Sequence, residues 1–364
     1  MARGRLHSLR RSAKGLLLGT LGRLMGRSES VALDEIDWPA AKKVLLIRPN
    51  FRMGNLLITT TALPILRSNL PDAEIHMLCA RSFSSLLQGH PCIDRLHTFT
   101  RGLLFNPFRL HWLMRRMRRE RFDVVIDGTM TGSAALLTRW AGGRVRIGAG
   151  PKGRHFAFTT LVDEPPRRLW RVEAMRQHFA SMGMSVPESA GMNVHLTEEE
   201  LARGRERMRE LDGDESTWIT GVFVGARGDK RWPAERWGEV ISRLWANRGE
   251  GEGLVVFHGP EERALVAMLR GCTPEGVPFS LSPNLREFAA LVAQCRQFIS
   301  SDTGPMHLAC ALGVPVVSLF WRKSWVRFAP QRPVDEVIHG DAMPTPDQVL
   351  AAHLQQRGRL RAGT

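Results

Sequence analysis

The chain has 364 residues, 43% hydrophobic and 24% charged, with a formal net charge of +15 at neutral pH. That length accommodates two domains with full cores, and the composition is that of a globular protein rather than a disordered or fibrous one. The charge calls for an anionic partner, and by itself leaves nucleic acid, a phospholipid surface and a phosphorylated substrate open.

Residues 1–30 form a basic segment in which Leu6, Leu9, Leu16, Leu17, Leu21 and Leu24 recur at helical spacing among arginines. A signal peptide would have an apolar core of only residues 15–22, with no small-residue cleavage site before Arg23. An amphipathic helix on an anionic leaflet is expected, with a solvated basic tail as the other reading. No stretch reaches the ~18 apolar residues of a membrane span. Residues 42–47 (KKVLLI) then read as a buried strand that runs into a turn and a helix over 56–68. Strands follow at 73–79, 96–99, 122–127 and 144–148, with helical stretches at 82–88 and 105–121, the latter basic and aromatic. Residues 150–166 read as loop and 169–182 as an amphipathic helix. Strands alternating with helices imply a parallel, doubly wound sheet.

A break at residues 187–189 marks a domain boundary, after which a second series begins. Its strands are expected at 217–224, 254–257 and 314–320, with another ending near Ile299. Its helices are expected at 234–246, 261–269, 285–295 and 306–312, and a last helix covers 346–356 before a basic end. The five cysteines, Cys79, Cys92, Cys272, Cys295 and Cys310, form no C-x-x-C pair and no zinc-spaced cluster, so reduced thiols and no metal site are expected.

The stretch 298–321, FISSDTGPMHLACALGVPVVSLFW, reads as strand, tight turn, helix and strand. A helix starting directly after Thr303-Gly304 presents unpaired backbone N–H groups and the positive end of its dipole. Gly304 permits close approach to the backbone, and His307 adds a donor one turn in. Such a turn is an anion site at the carboxyl ends of the strands. The competing reading is that Asp302 or Thr303 merely caps the helix. In GARGDKRWPAERW (225–237), Lys230 is the charge to set against a diphosphate, with backbone N–H groups of Gly225 and Ala226 beside it. In VVFHGPEER (255–263), Glu261 can reach ribose hydroxyls, with Glu262 one residue away; both equally suit the first turn of a helix.

The string D-T-G-P-x-H-L-A-x-A-x-G-V-P-V-V-x-L-F over 302–320 resembles the carboxyl-terminal signature of the ADP-heptose:lipopolysaccharide heptosyltransferases, glycosyltransferase family 9. Three further segments match in the family's order. RPNFRMGNLLITTTALPILR (48–67) matches at Gly54, Thr60, Ala62, Leu63, Leu66 and Arg67; GARGDKRWPAERW matches at Lys230, Trp232, Pro233 and Trp237; PNLREF (283–288) matches a helix before the signature strand. The resemblance spans about residues 42–330. It implies a GT-B architecture: an α/β protein with two Rossmann-like, doubly wound parallel-sheet domains facing a central cleft. Residues 31–187 would hold the acceptor and 188–340 the nucleotide-sugar donor, flanked by the tail 1–30 and a C-terminal helix and basic tail over 341–364.

The activity implied is inverting transfer of a heptose from ADP-heptose to a lipopolysaccharide or glycolipid acceptor, without cofactor or metal. Asp302, Thr303, Gly304 and His307 would join Gly225, Ala226, Lys230 and Glu261 on the donor. Gly54, Asn55 and Thr60 would face the acceptor, and residues 321–330 would line the base pocket. The chain departs from the family at Asn55, where the resemblance leads one to expect an aspartate acting as general base. An amide cannot take a proton at neutral pH, so Asn55 is expected to orient the acceptor and to cap the helix beginning at Leu56. Location on the cytoplasmic side of the inner membrane, held peripherally by an anionic surface, follows from the same resemblance. Two other classes stay open: a catalytically degenerate nucleotide-sugar or glycolipid binder, and a nucleic-acid binder. The second lacks RRM, KH and helix-turn-helix signatures, so no nucleic-acid partner is expected.

Overall fold

The computed structural model describes residues 29–129, 131–150, 152–212 and 218–363. The basic segment 1–30 therefore lies outside the described residues apart from its last two. The first half of the chain runs β1 (Lys43–Arg48), α1 (Met53–Thr60), α2 (Ala62–Asn69), β2 (Glu74–Ala80), β3 (Arg95–Phe99), α3 (Pro107–Arg119), β4 (Val124–Asp127), α4 (Gly132–Ala141), β5 (Val145–Ala149), β6 (Thr160–Val162) and α5 (Arg171–Ala180). The second runs α6 (Glu198–Asp212), β7 (Trp218–Phe223), α7 (Ala234–Ala246), β8 (Glu252–His258), α8 (Arg263–Cys272), β9 (Phe279–Leu281), α9 (Leu285–Val292), β10 (Gln297–Ser301), α10 (Gly304–Ala311), β11 (Val316–Phe320), α11 (Trp325–Phe328), β12 (Glu336–His339) and α12 (Pro346–Ala362).

Each half builds a six-stranded parallel sheet, in the orders β3-β2-β1-β4-β5-β6 and β12-β11-β10-β7-β8-β9. Counted from the first strand of each half, both orders are 3-2-1-4-5-6. The central strands are apolar on both faces because helices cover both faces. In β1, Val44 and Leu46 pack with Ile75, Met77, Ile126 and Phe179 on one side. Leu45 and Ile47, pointing the other way, pack with Leu78, Val125, Met114 and Met117. In the second sheet Val255, Phe257 and Phe298 take one face, and Val222, Val256, Ile299 and Val317 the other. α12 closes this sheet: buried Gln356 donates to the Val316 carbonyl at 3.1 Å and accepts from Gln297 at 2.9 Å.

Several local expectations are corrected. Residues 150–166 hold a 3-10 turn, Lys152–Ala157, and the edge strand β6. The span expected as one helix over 56–68 is two, α1 and α2, meeting at Thr61. α4, α6 and β12 had not been anticipated. α6 begins with Glu198, Glu199 and Glu200 and a reciprocal pairing of Thr197 with Glu200, which is an ordinary helix-start signal. Gly204 lets α6 lie against α9, since a Cβ there would sit 2.6 Å from the Ala290 carbonyl oxygen.

The two halves are packed together. Leu57 of α1 is fully buried within the second half's core beside Met306 of α10. Arg286 of α9 pairs with Glu200 and donates to the carbonyls of Gln88 (3.3 Å) and His195 (2.8 Å), tying the first half to the linker. Four of the five free cysteines are buried or partly so, with only Cys272 exposed.

Candidate active site between the two sheets

In an open sheet of this order, ligands bind where connections leave the central strands in opposite directions, at the strands' carboxyl ends. The chain has two such points, and α1 and α10 bring them together. In the second half, Gly225 and Ala226 follow β7, and Asp302 and Thr303 follow β10, its neighbour. Thr303 is the N-cap residue of α10, yet its hydroxyl makes no capping bond; it pairs with Ser300 at 2.9 Å. The capping alternative therefore falls, and the first-turn N–H groups are left for a ligand. Asp302 is not a cap either. Its Oδ2 accepts from Lys230 Nζ at 2.6 Å and from Ser324 Oγ at 3.0 Å.

Lys230 ends a tight turn, Gly228–Lys230, that begins on a left-handed glycine, Gly228, φ 62°. Trp321 Nε1 donates to the Asp229 carbonyl at 3.0 Å and Arg322 pairs with the Asp229 carboxylate, so the segment after β11 braces this turn. Trp232 and Trp237 are buried core residues, edge to face at 4.7 Å, and anchor the loop from below. Trp325 stacks on His339 at 3.9 Å. His307 is buried between the two halves. Its pKa is lowered to about 4, chiefly by burial, with Asp302 opposing and Lys230 adding to the shift, so the imidazole is neutral at pH 7.

Glu261 is exposed and pairs with Arg227, the residue after Ala226, at 2.9 Å. Glu262 is the carboxylate against the loop after β7. It accepts from the Gly259 N–H at 2.9 Å, and a Cβ on Gly225 would stand 2.7 Å from its Cδ. Glu262 thus lies against Gly225, while Glu261 is held by Arg227 of the same loop.

In the first half, α1 begins at Met53, so Asn55 is the third helical residue and not its cap, which is Arg52. No hydrogen bond from the Asn55 side chain is present among the described residues. Its Oδ1 and Nδ2 are available to a ligand, and its backbone carbonyl takes the Thr59 hydroxyl. Thr60, expected at the acceptor, is fully buried; its hydroxyl donates to Leu57 O and accepts from Asn193 N–H, which locks the interdomain linker. Gly54 and Gly304 form an interlock across the halves. A Cβ on Gly54 would lie 2.4 Å from His307 Cδ2, and one on Gly304 would lie 2.5 Å from Met53 Cε. The space over Gly304 is therefore taken by Met53 rather than left open.

Sequence reasoning missed a second group at the carboxyl ends of β1 and β4. Arg48, 5% exposed, donates Nη1 to Gly128 O at 3.1 Å. Asp127, fully buried, accepts from the Thr129 N–H (2.8 Å) and hydroxyl (3.0 Å). His178 hydrogen-bonds the Asp127 carbonyl at 3.2 Å. Arg171 of α5 stands beside Arg48, and Arg327 of α11 acts on Arg171 from the other half. These residues come from four separate elements, and nothing in any one segment announces them.

Two doubly wound domains with their switch points opposed across a cleft define the GT-B architecture of sugar-transferring enzymes. Among solved structures, the glycosyl transferase family 9 protein of Veillonella parvula superposes with a TM-score of 0.78 at 20% identity, over 88% of this chain and 98% of that one. Escherichia coli heptosyltransferase WaaC with ADP gives 0.67 at 20% identity, over 88% and 100%. The model of glycosyltransferase family 9 (heptosyltransferase) matches residues 110–356. The chain belongs to that family. It is 27% identical over 296 residues to lipopolysaccharide heptosyltransferase 1 of Pseudomonas aeruginosa, covering 76% of this chain and 78% of that protein. To lipopolysaccharide heptosyltransferase 3 of E. coli it is 25% identical over 297 residues, covering 76% and 82%.

Proposed function

We propose that this chain transfers a heptose from ADP-heptose to a lipopolysaccharide-type acceptor, with inversion at the anomeric carbon. The observation that carries the reading is the Lys230–Asp302 pair at the N-terminus of α10, the helix that interlocks with α1, on which Asn55 lies. The donor diphosphate sits against the α10 N–H groups and Lys230, with Asp302 on sugar hydroxyls once the diphosphate draws Lys230 away. The neutral His307 supplies one N–H donor. The acceptor oxygen attacks the anomeric carbon as the bond to the diphosphate oxygen breaks, and ADP leaves with the electron pair. Lys230 and the helix dipole neutralise the charge that develops there, so no metal is assigned to the step. Among the described residues no three His, Cys, Asp or Glu side chains converge as metal ligands. The acceptor proton goes to water or to a donor phosphate, because the Asn55 amide cannot hold it.

Relatives act on lipopolysaccharide, so the acceptor here is taken as lipid-anchored, and the protein as peripheral on the cytoplasmic face of the inner membrane. None of the described helices is long and apolar enough to cross a membrane. α3 provides a docking face: Phe108 and Trp112, 85% and 65% exposed and one turn apart, lie among exposed Arg109, Arg115, Arg116 and Arg119. The turn before α3 leaves the cleft-side end of β3, where Arg101 lies over the Phe51 ring at 5.0 Å. Asn55 favours a second reading, a donor-binding protein without turnover. Calorimetry with ADP tests the donor site: Lys230→Ala and His307→Ala proteins are expected to bind ADP more weakly, and unchanged affinity in both would remove the assignment.

A further inference from the structure

The second half has a hollow at the amino-terminal ends of β7 and β8, at the opposite end of the sheet from Lys230 and Asp302. α7 and α12 pack on the same face of this sheet, over Val222 and Val256. The hollow between them measures about 350 Å³, enough for a ring-sized ligand. Its floor is made by Leu244, Leu254, Thr220 and His353, each more than nine-tenths buried. His353 Nδ1 is buried without a hydrogen-bond partner among the described residues, and neither His353 Nε2 nor the Thr220 hydroxyl makes a bond there. The imidazole is neutral, since burial lowers its pKa to about 4. It therefore offers one N–H and one lone pair to whatever fills the space, and leaving them unmet costs stability. The rim has another character. Arg243, Asn247 and Arg248 are exposed there, and so is Leu354, at 52%. Asp347 holds Arg243 at 2.7 Å and Glu252 holds Arg357 at 2.7 Å. Arg248 pairs with no carboxylate among the described residues and lies over the Trp245 ring at 3.4 Å.

We propose that this hollow is a ligand site separate from the cleft, and that it takes a small hydroxylated organic acid with an apolar, ring-sized body. The body covers Leu254 and Leu354, the carboxylate meets Arg248 at the rim, and the hydroxyl meets His353 at the floor. A hydroxyl suits a neutral imidazole because it can donate to one nitrogen state or accept from the other. An amine does not suit the rim. Glu252 is the carboxylate in the lining, and it already accepts from Arg357, Arg361 and the Gly249 N–H, so it has little left for an incoming cation. Burying the exposed Leu354 side chain and giving the His353 ring a partner are the two gains that binding brings. Neither the donor reading nor the acceptor reading enters this inference, which stands on the back of the second sheet alone.

The test is calorimetric titration of the full chain with two hydroxyaryl acids of different reach, 4-hydroxybenzoate and 4-hydroxyphenylacetate, with ADP in excess to keep them out of the donor site. Saturable binding of at least one is expected, with the same affinity when ADP is left out. The matching acid without its hydroxyl should bind about three- to tenfold more weakly, the size of one hydrogen bond. Tyramine, which carries an amine in place of the acid, should not bind. Arg248→Met should weaken the acid by about fivefold, as for an exposed ion pair. Leu354→Glu sets a carboxylate on the rim at an exposed position and should abolish binding without loss of thermal stability. His353→Phe should erase the difference between the acid with a hydroxyl and the acid without; if that protein does not fold, the two rim variants still decide the matter. Exposed Arg203→Met on α6 should bind as the parent does. No saturable binding of either acid, displacement by ADP, or full binding in both Arg248→Met and Leu354→Glu proteins would overturn the proposal.

Discussion

His307 and Gly54 show how tightly single residues are set at the centre of this molecule. The imidazole is packed between the Gly54 backbone and the edge of Phe328, and a methyl group on Gly54 would overlap its ring carbon at 2.4 Å. Gly54→Ala must therefore displace a buried ring or part the two halves, and overpacking of this kind costs about 1–3 kcal/mol. Denaturant unfolding should show that loss, together with weaker ADP binding as His307 leaves its place. Gly304→Ala meets mainly the flexible tip of Met53 and should cost less. The reverse order would mean that the interlock is slack where it is drawn tight. Lys230 belongs to the same scale: loss of a charge-assisted bond to the diphosphate should lower ADP affinity by about 1–3 kcal/mol.

At the scale of elements, α3 carries the face proposed for membrane docking. Its inner face, with Met114 and Met117, is core, and its outer face combines two exposed aromatic rings with four exposed arginines. Arginines close to an anionic leaflet contribute about 1 kcal/mol each. Phe108→Ser with Trp112→Ser should leave the fold and ADP binding intact and should reduce co-sedimentation with anionic vesicles. Equal sedimentation of variant and parent would count against membrane docking through α3. Elements of this sort were legible in the sequence because their apolar residues recur at 3.6 or alternate in apolar runs, as in KKVLLI or the 234–246 helix, which α7 reproduces to the residue. The edge strands β6 and β12 were not legible, being three and four residues long with mixed burial. The helix start at Asn55 was misplaced because Arg52 gives no capping signal. The loops after β7 and β10 proposed for the donor each lie in one continuous segment and so stood out in the sequence; Arg48, Asp127, Arg171 and Arg327 converge only through the fold.

For the molecule as a whole, six histidines among the described residues are buried with burial lowering each; His97, His178, His307 and His353 come down to about 4, and His76 and His90 move in the same direction. The unfolded chain binds protons at the first four of these sites near pH 6.5, while the folded chain does not until about pH 4. Stability is therefore full above pH 6.5 and falls as pH drops toward 4, by up to ~1.4 kcal/mol per pH unit for each histidine. Unfolding at pH 5 should take up protons, measurable as a buffer-dependent enthalpy in calorimetry. A flat stability between pH 7 and 5 would show that these rings are charged or open to solvent.

The reaction itself gives the most direct test. Full-length protein is mixed with ADP-heptose and a deacylated lipopolysaccharide-core acceptor, and the product is followed by mass and by the anomeric coupling of the new linkage. The account predicts an acceptor heavier by one heptose with inverted configuration, formed by the parent and by Asn55→Ala protein and lost in Lys230→Ala protein. ADP-heptose bound by the parent with no sugar transferred to the acceptor would contradict it and leave a binding protein in its place.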